Sequence, residues 1–128
     1  MDGYRIRVVL KEEANVLTEH RLFFINLGGY QSGKLEEQHY TVLTVQTERA
    51  AAIQQSKKTV FFRNNTIAGM KGANSHIDDK YGIDVDDIYK IEDMLSPELK
   101  EKYHIEITPA EGLPEDEVHL GYFRLEKL

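Results

Sequence analysis

Apolar and polar positions alternate from the start of the chain: Tyr4, Ile6, Val8 and Leu10 are set off by Arg5, Arg7 and Lys11. A period of two predicts a strand with one apolar face. Leu22-Phe23-Phe24-Ile25-Asn26-Leu27 is a nearly continuous apolar run ended by Gly28-Gly29, the pattern of a central strand buried on both faces. Tyr40 to Val45 is rich in β-branched residues and predicts a third strand. Thr59 to Phe62, Ile88 to Ile91, His104 to Thr108 and Val118 to Leu125 read as further strands, His104 to Thr108 having one wet face.

Two segments read as helix. Thr47 is a suitable N-cap, Glu48 complements the helix dipole, Ala50-Ala51-Ala52 has high helix propensity, and Lys57 and Lys58 suit a C-terminus. The main helix is expected over about 48–58. Ser96-Pro97-Glu98 combines a capping serine with proline at the first helical position, giving a short helix over about 97–103. Six or seven strands and two helices without regular βα alternation predict an α+β fold, a mostly antiparallel twisted sheet. The polar stretch from Asn64 to Asp87 is long for a loop in a compact domain, and such loops are often functional.

Length and composition fit this picture. The 128 residues suffice for a single domain (1–128), and 41% hydrophobic with 30% charged residues is ordinary for a globular chain. The net charge of -6 argues against nucleic acid and anionic membrane surfaces as partners. There is no apolar run of membrane-spanning length and no secretory pattern at the start, so a cytoplasmic protein is expected. The absence of cysteine removes disulfides, thiolate metal sites and cysteine nucleophiles.

Gly28-Gly29-Tyr30-Gln31-Ser32-Gly33-Lys34 has the spacing of a phosphate-binding loop. Leu35 replaces the hydroxyl that would reach Mg²⁺, and strand rather than helix follows. Turn glycines are the simpler reading. In Glu36-Glu37-Gln38-His39, an extended backbone places Glu37 and His39 on one face, where a carboxylate can orient an imidazole or share a metal with it. A strand-entry histidine bonded to a neighbouring acid is the plainer alternative. His76, Asp78, Asp79, Asp86 and Asp87 belong to the most acidic segment. It does not follow the calcium-loop pattern, and alternation of Ile83 and Val85 with Asp84 and Asp86 also suits a charged strand edge. His20, His104 and His119 lie in or beside predicted strands and read as packing residues.

A short internal echo is present: Tyr4-Arg5-Ile6 resembles Tyr89-Lys90-Ile91, and His20 with Phe23-Phe24 resembles His119 with Tyr122-Phe123. Phe23 to Tyr30, Glu36 to Tyr40, His76 to Lys80 and Asp84 to Tyr89 together resemble a bacterial family catalogued as domain of unknown function 1543. The likeness covers about residues 22–94. It implies a small repeated unit of strand, glycine turn, acid-x-His element, strand and helix, with residues 1–20 as the remnant of a preceding copy. That family has no assigned activity, so the resemblance brings no catalytic residue, substrate or cofactor.

No complete catalytic constellation stands out, so a non-catalytic binding or protein-interaction domain is expected. It is expected to self-associate as a homodimer through a sheet edge left open by the incomplete repeat. The alternative is a small enzyme or metal-binding protein using His39, Glu37 and the acidic-segment carboxylates. The candidate binding residues are Gly28, Gly29, Glu37, His39, His76, Asp78, Asp79, Asp86 and Asp87. The two are discriminated by whether His39 lies within ~8–10 Å of one of these aspartates and by elemental analysis of the purified protein, wide separation together with no metal removing the alternative.

Overall fold

The computed structural model describes residues 1, 3–15, 18–30, 35–61, 83–114, 116–117, 121 and 124. Its elements run β1 (Tyr4–Leu10), a 3-10 turn (Lys11–Glu13), β2 (Arg21–Tyr30), β3 (Glu37–Gln46), α1 (Arg49–Ser56), β4 (Ile83–Lys90), α2 (Ile91–Met94), α3 (Pro97–Lys102) and β5 (Tyr103–Pro109). The fold is α+β and all pairings are antiparallel. The described residues do not show the expected sheet of six or seven strands. Among the described residues five strands make two sheets, one of β1 and β5 and one in the order β3-β2-β4.

The larger sheet owes its core to strict alternation along β2. Phe23, Ile25 and Leu27 are fully buried and pack with Ala52 of α1 and Ile88 of β4. Burial of each large side chain contributes roughly 1.5–3 kcal/mol. The intervening Phe24 and Asn26 are only half-buried, so β2 is central but not apolar on both faces as its composition suggests. Two polar side chains are buried beside this core, each with a partner. Thr44 Oγ1 accepts from Gln46 Nε2 at 3.1 Å and Ser56 Oγ donates to the Ile53 carbonyl at 2.8 Å.

The second core lies on the opposite side of the larger sheet, at one end. Val45 and Leu22, cross-strand partners, meet Ile105 and Ile107 of β5 together with Tyr4, Ile6 and Ile91. The β1–β5 pair therefore covers only the Leu22–Val45 end of that face. Alternation holds along β5, but on β1 Val8 is 70% exposed, so that strand's inward set shifts near its end.

Several boundaries differ from expectation. Helix α1 begins one residue later than expected, with Glu48 as N-cap and no side-chain hydrogen bond there, and ends at Ser56, before Lys57 and Lys58. Val60 and Phe61, expected in a strand, are helical. Phe61 packs on the main core and stacks on Tyr40 at 5.4 Å, so tertiary contact overrides β propensity there. The Ser96 cap is as expected: its Oγ accepts from the Leu99 N–H at 3.4 Å. Strand β4 is longer than expected, and Ile91 opens α2 instead of closing the strand. Tyr4-Arg5-Ile6 thus lies within a strand, whereas Tyr89-Lys90-Ile91 crosses from strand to helix. The strand expected over 118–125 falls largely outside the described residues, as does His119.

Candidate metal centre

The exposed face of the larger sheet can be laid out from its registers. Phe24 lies between Leu43 and Tyr89, Asn26 between Thr41 and Asp87, Gly28 between His39 and residue 84, and Tyr30 opposite Glu37. Because side chains alternate, Glu37 and His39 share this face, as their spacing predicts.

A β-bulge delivers the third member. Asn26 pairs with Asp87 but Leu27 pairs with Val85, leaving Asp86 as the extra residue of β4. Without the bulge, one of two consecutive aspartates would point into the core, where an unpaired carboxylate is very costly. With it, Asp86 and Asp87 both occupy the open face, and Ile88 returns to the core opposite Ile25. Tyr89 O–H donates to Asp87 Oδ1 at 2.9 Å, and this bond with the Asp87 charge holds the phenol pKa above its ordinary value of 10.0.

The Asp86 carboxylate lies directly over Gly28, and a Cβ there would come within 2.7 Å of Asp86 Cγ. Gly28 and Gly29 are therefore strand residues within β2 and not a turn. The requirement at Gly28 is close approach by a neighbouring side chain rather than an unusual backbone angle. Gly29 is buried and paired with Gln38 and residue 83.

Asp86 Oδ2 is 3.1 Å from His39 Nδ1, and Glu37 Oε2 is 3.7 Å from His39 Nε2. One ligand atom from each of Glu37, His39 and Asp86 lies within 4.8 Å of the others. Asn26 Nδ2 is 3.3 Å from His39 Nδ1 and 3.5 Å from Asp86 Oδ2, so it borders the same group. Ligand atoms bound at ~2.0–2.2 Å to one tetrahedral or octahedral ion sit ~3–3.6 Å apart when adjacent. The two carboxylates lie against different nitrogens of the His39 ring, so a shared ion requires one of them to swing to the other's side of the imidazole. Side-chain exposures of 49% for His39, 41% for Glu37 and 32% for Asp86 keep the site open to solvent.

The structure thus unites Glu37, His39 and Asp86 around Gly28. Asp87 lies one row away, bonded to Tyr89. His76, Asp78 and Asp79 fall outside the described residues. Asn26 is the member the sequence reading missed. Its signal was present, since it is the one polar residue inside the apolar run of β2. Of the packing histidines, His20 bonds Tyr4 and Thr18, and His104 Nδ1 lies 3.4 Å from Glu92 Oε1. No described helix is long and apolar enough to cross a membrane. Comparison with protein-family models, curated proteins and solved structures finds no match for this chain.

Proposed function

We propose that this protein is a binding domain that takes a divalent transition-metal ion at Glu37, His39 and Asp86. The observation that carries the reading is the meeting of one imidazole and two carboxylates from two strands, with ligand atoms inside a 4.8 Å span. One nitrogen and two oxygen donors suit zinc or a neighbouring first-row ion better than Mg²⁺ or Ca²⁺, which favour all-oxygen sets. The partners of His39 are two carboxylates and an amide, the surroundings of a cation ligand rather than of a base serving a nucleophile.

Titration calorimetry with Zn²⁺ and Mg²⁺ tests the proposal. Zn²⁺ should bind with one-to-one stoichiometry, Mg²⁺ much more weakly, and His39→Ala and Asp86→Asn should each weaken Zn²⁺ by at least ~10-fold. Zn²⁺ affinity indifferent to both substitutions would sink it.

A second reading, self-association as a homodimer, is favoured by an apolar row on the same face, two rows from Gly28 and His39. Leu43 and Tyr89 are 43% and 44% exposed with Phe24 between them, an apolar strip suited to contact with a second copy. Light scattering after size exclusion checks it, and a strict monomer at high concentration contradicts it.

A further inference from the structure

On the far side of the second core from the metal centre, a shallow polar depression opens between the start of β2 and β5. It is lined by Asn15, Thr18, His20, Arg21 and His104, with Ile105 and Ile107 forming its apolar part. We propose that this depression binds a small tetrahedral oxyanion, the phosphate group of inorganic phosphate or of a phosphate monoester, with Arg21 as the principal cation.

Charge balance is the first support. Glu106 Oε1 lies 3.7 Å from Arg7 Nε while its Oε2 accepts from the Asn15 N–H at 3.3 Å, and Glu92 is paired with His104. Glu106 and Glu92, which touch residues lining the depression, therefore each have a partner. Arg21 has no carboxylate partner among the described residues, in a chain whose net charge is -6.

Preorganisation is the second. Arg21 Nη1 donates to the carbonyl oxygens of Thr18 at 3.3 Å and His20 at 2.8 Å. One corner of the guanidinium is fixed by backbone, leaving the Nε–Nη2 edge as a fork for two oxygens of one anion. The His20 ring is locked as well. Thr18 Oγ1 accepts from the His20 N–H at 2.8 Å and lies 2.7 Å from Nδ1, while Nε2 is 2.8 Å from the Tyr4 hydroxyl. His104 uses Nδ1 toward Glu92, which leaves its Nε2 edge, and the Asn15 amide offers another donor. A guanidinium fork with further donors beside it suits the oxygens of a phosphate group.

The test is a ¹H–¹⁵N spectrum of the intact chain titrated with sodium phosphate against sodium chloride at matched ionic strength, with EDTA present so that bound metal plays no part. Phosphate should move the amides of Asn15, Arg21 and Ile105 saturably, and chloride should not. Arg21→Gln, with its fold checked in the same spectra, should weaken binding by at least ~10-fold, and Arg21→Lys by less, because lysine keeps the charge and loses the fork. Equal responses to phosphate and chloride, or saturable shifts confined to other residues, would overturn the proposal in the unmodified protein. Undiminished binding by folded Arg21→Gln would do the same.

Discussion

The two faces of β2 are built from one alternating sequence and serve opposite ends. Inward, Phe23, Ile25 and Leu27 are at most 1% exposed and pack against Ala52 and Ile88. Outward, Phe24, Asn26 and Gly28 pass from a half-exposed apolar row through a polar row to an open cluster of two carboxylates and an imidazole. The inward face gains free energy by excluding water. The outward face keeps charged groups close together, which is tolerable only because solvent reaches them. Stability and binding chemistry are therefore separable here, although neighbouring residues of one strand carry them.

Substitutions sharpen that separation. The largest effect is expected for Phe23→Ala, which should cost about 3–5 kcal/mol in urea unfolding. A loss near that of a surface change would show that the inward face is not the main core. Gly28→Ala couples the faces, since its methyl would collide with the Asp86 carboxylate. It should destabilise by about 1–3 kcal/mol and also abolish Zn²⁺ binding, because Asp86 must move away. Unchanged Zn²⁺ affinity in this variant would mean Asp86 is not a ligand. His39→Ala and Asp86→Asn should alter stability by only about 0.5 kcal/mol, as usual for exposed positions, while weakening Zn²⁺ by at least ~10-fold. A large stability loss in either would make the cluster structural.

The smallest effect is a titration. With Tyr89 raised by its bond to Asp87, the phenol's contribution to folding is fully present below pH 10.0, its ordinary value, and fades as pH rises through the raised value. Absorbance of tyrosinate should place Tyr89 back near its ordinary value in Asp87→Asn, and no change would show that the bond does not persist in solution.

Much of this molecule is legible in local pattern. The antiparallel α+β class, the strands around Phe23 to Leu27 and Tyr40 to Val45, and the alanine-rich helix follow from periodicity and helix propensity, and the serine-capped helix from its cap chemistry. So does the pairing of Glu37 with His39 on one face, because period two acts within a single strand. The reading fails where distant contacts intervene. Val60 and Phe61 have strand composition, yet Phe61 completes a core against Tyr40 and is helical. Gly28-Gly29 has turn composition, yet both glycines continue β2.

What the sequence determined alone is which residues are able to meet water and which are not, since that property belongs to each side chain and its period. Tertiary structure decided that five described strands divide into two sheets, that a bulge turns Asp86 toward His39, and that Gly28 gives it room. Those outcomes depend on register between strands whose partners are 54–67 positions apart in the chain, and a register is a property of two partners that neither strand's composition specifies.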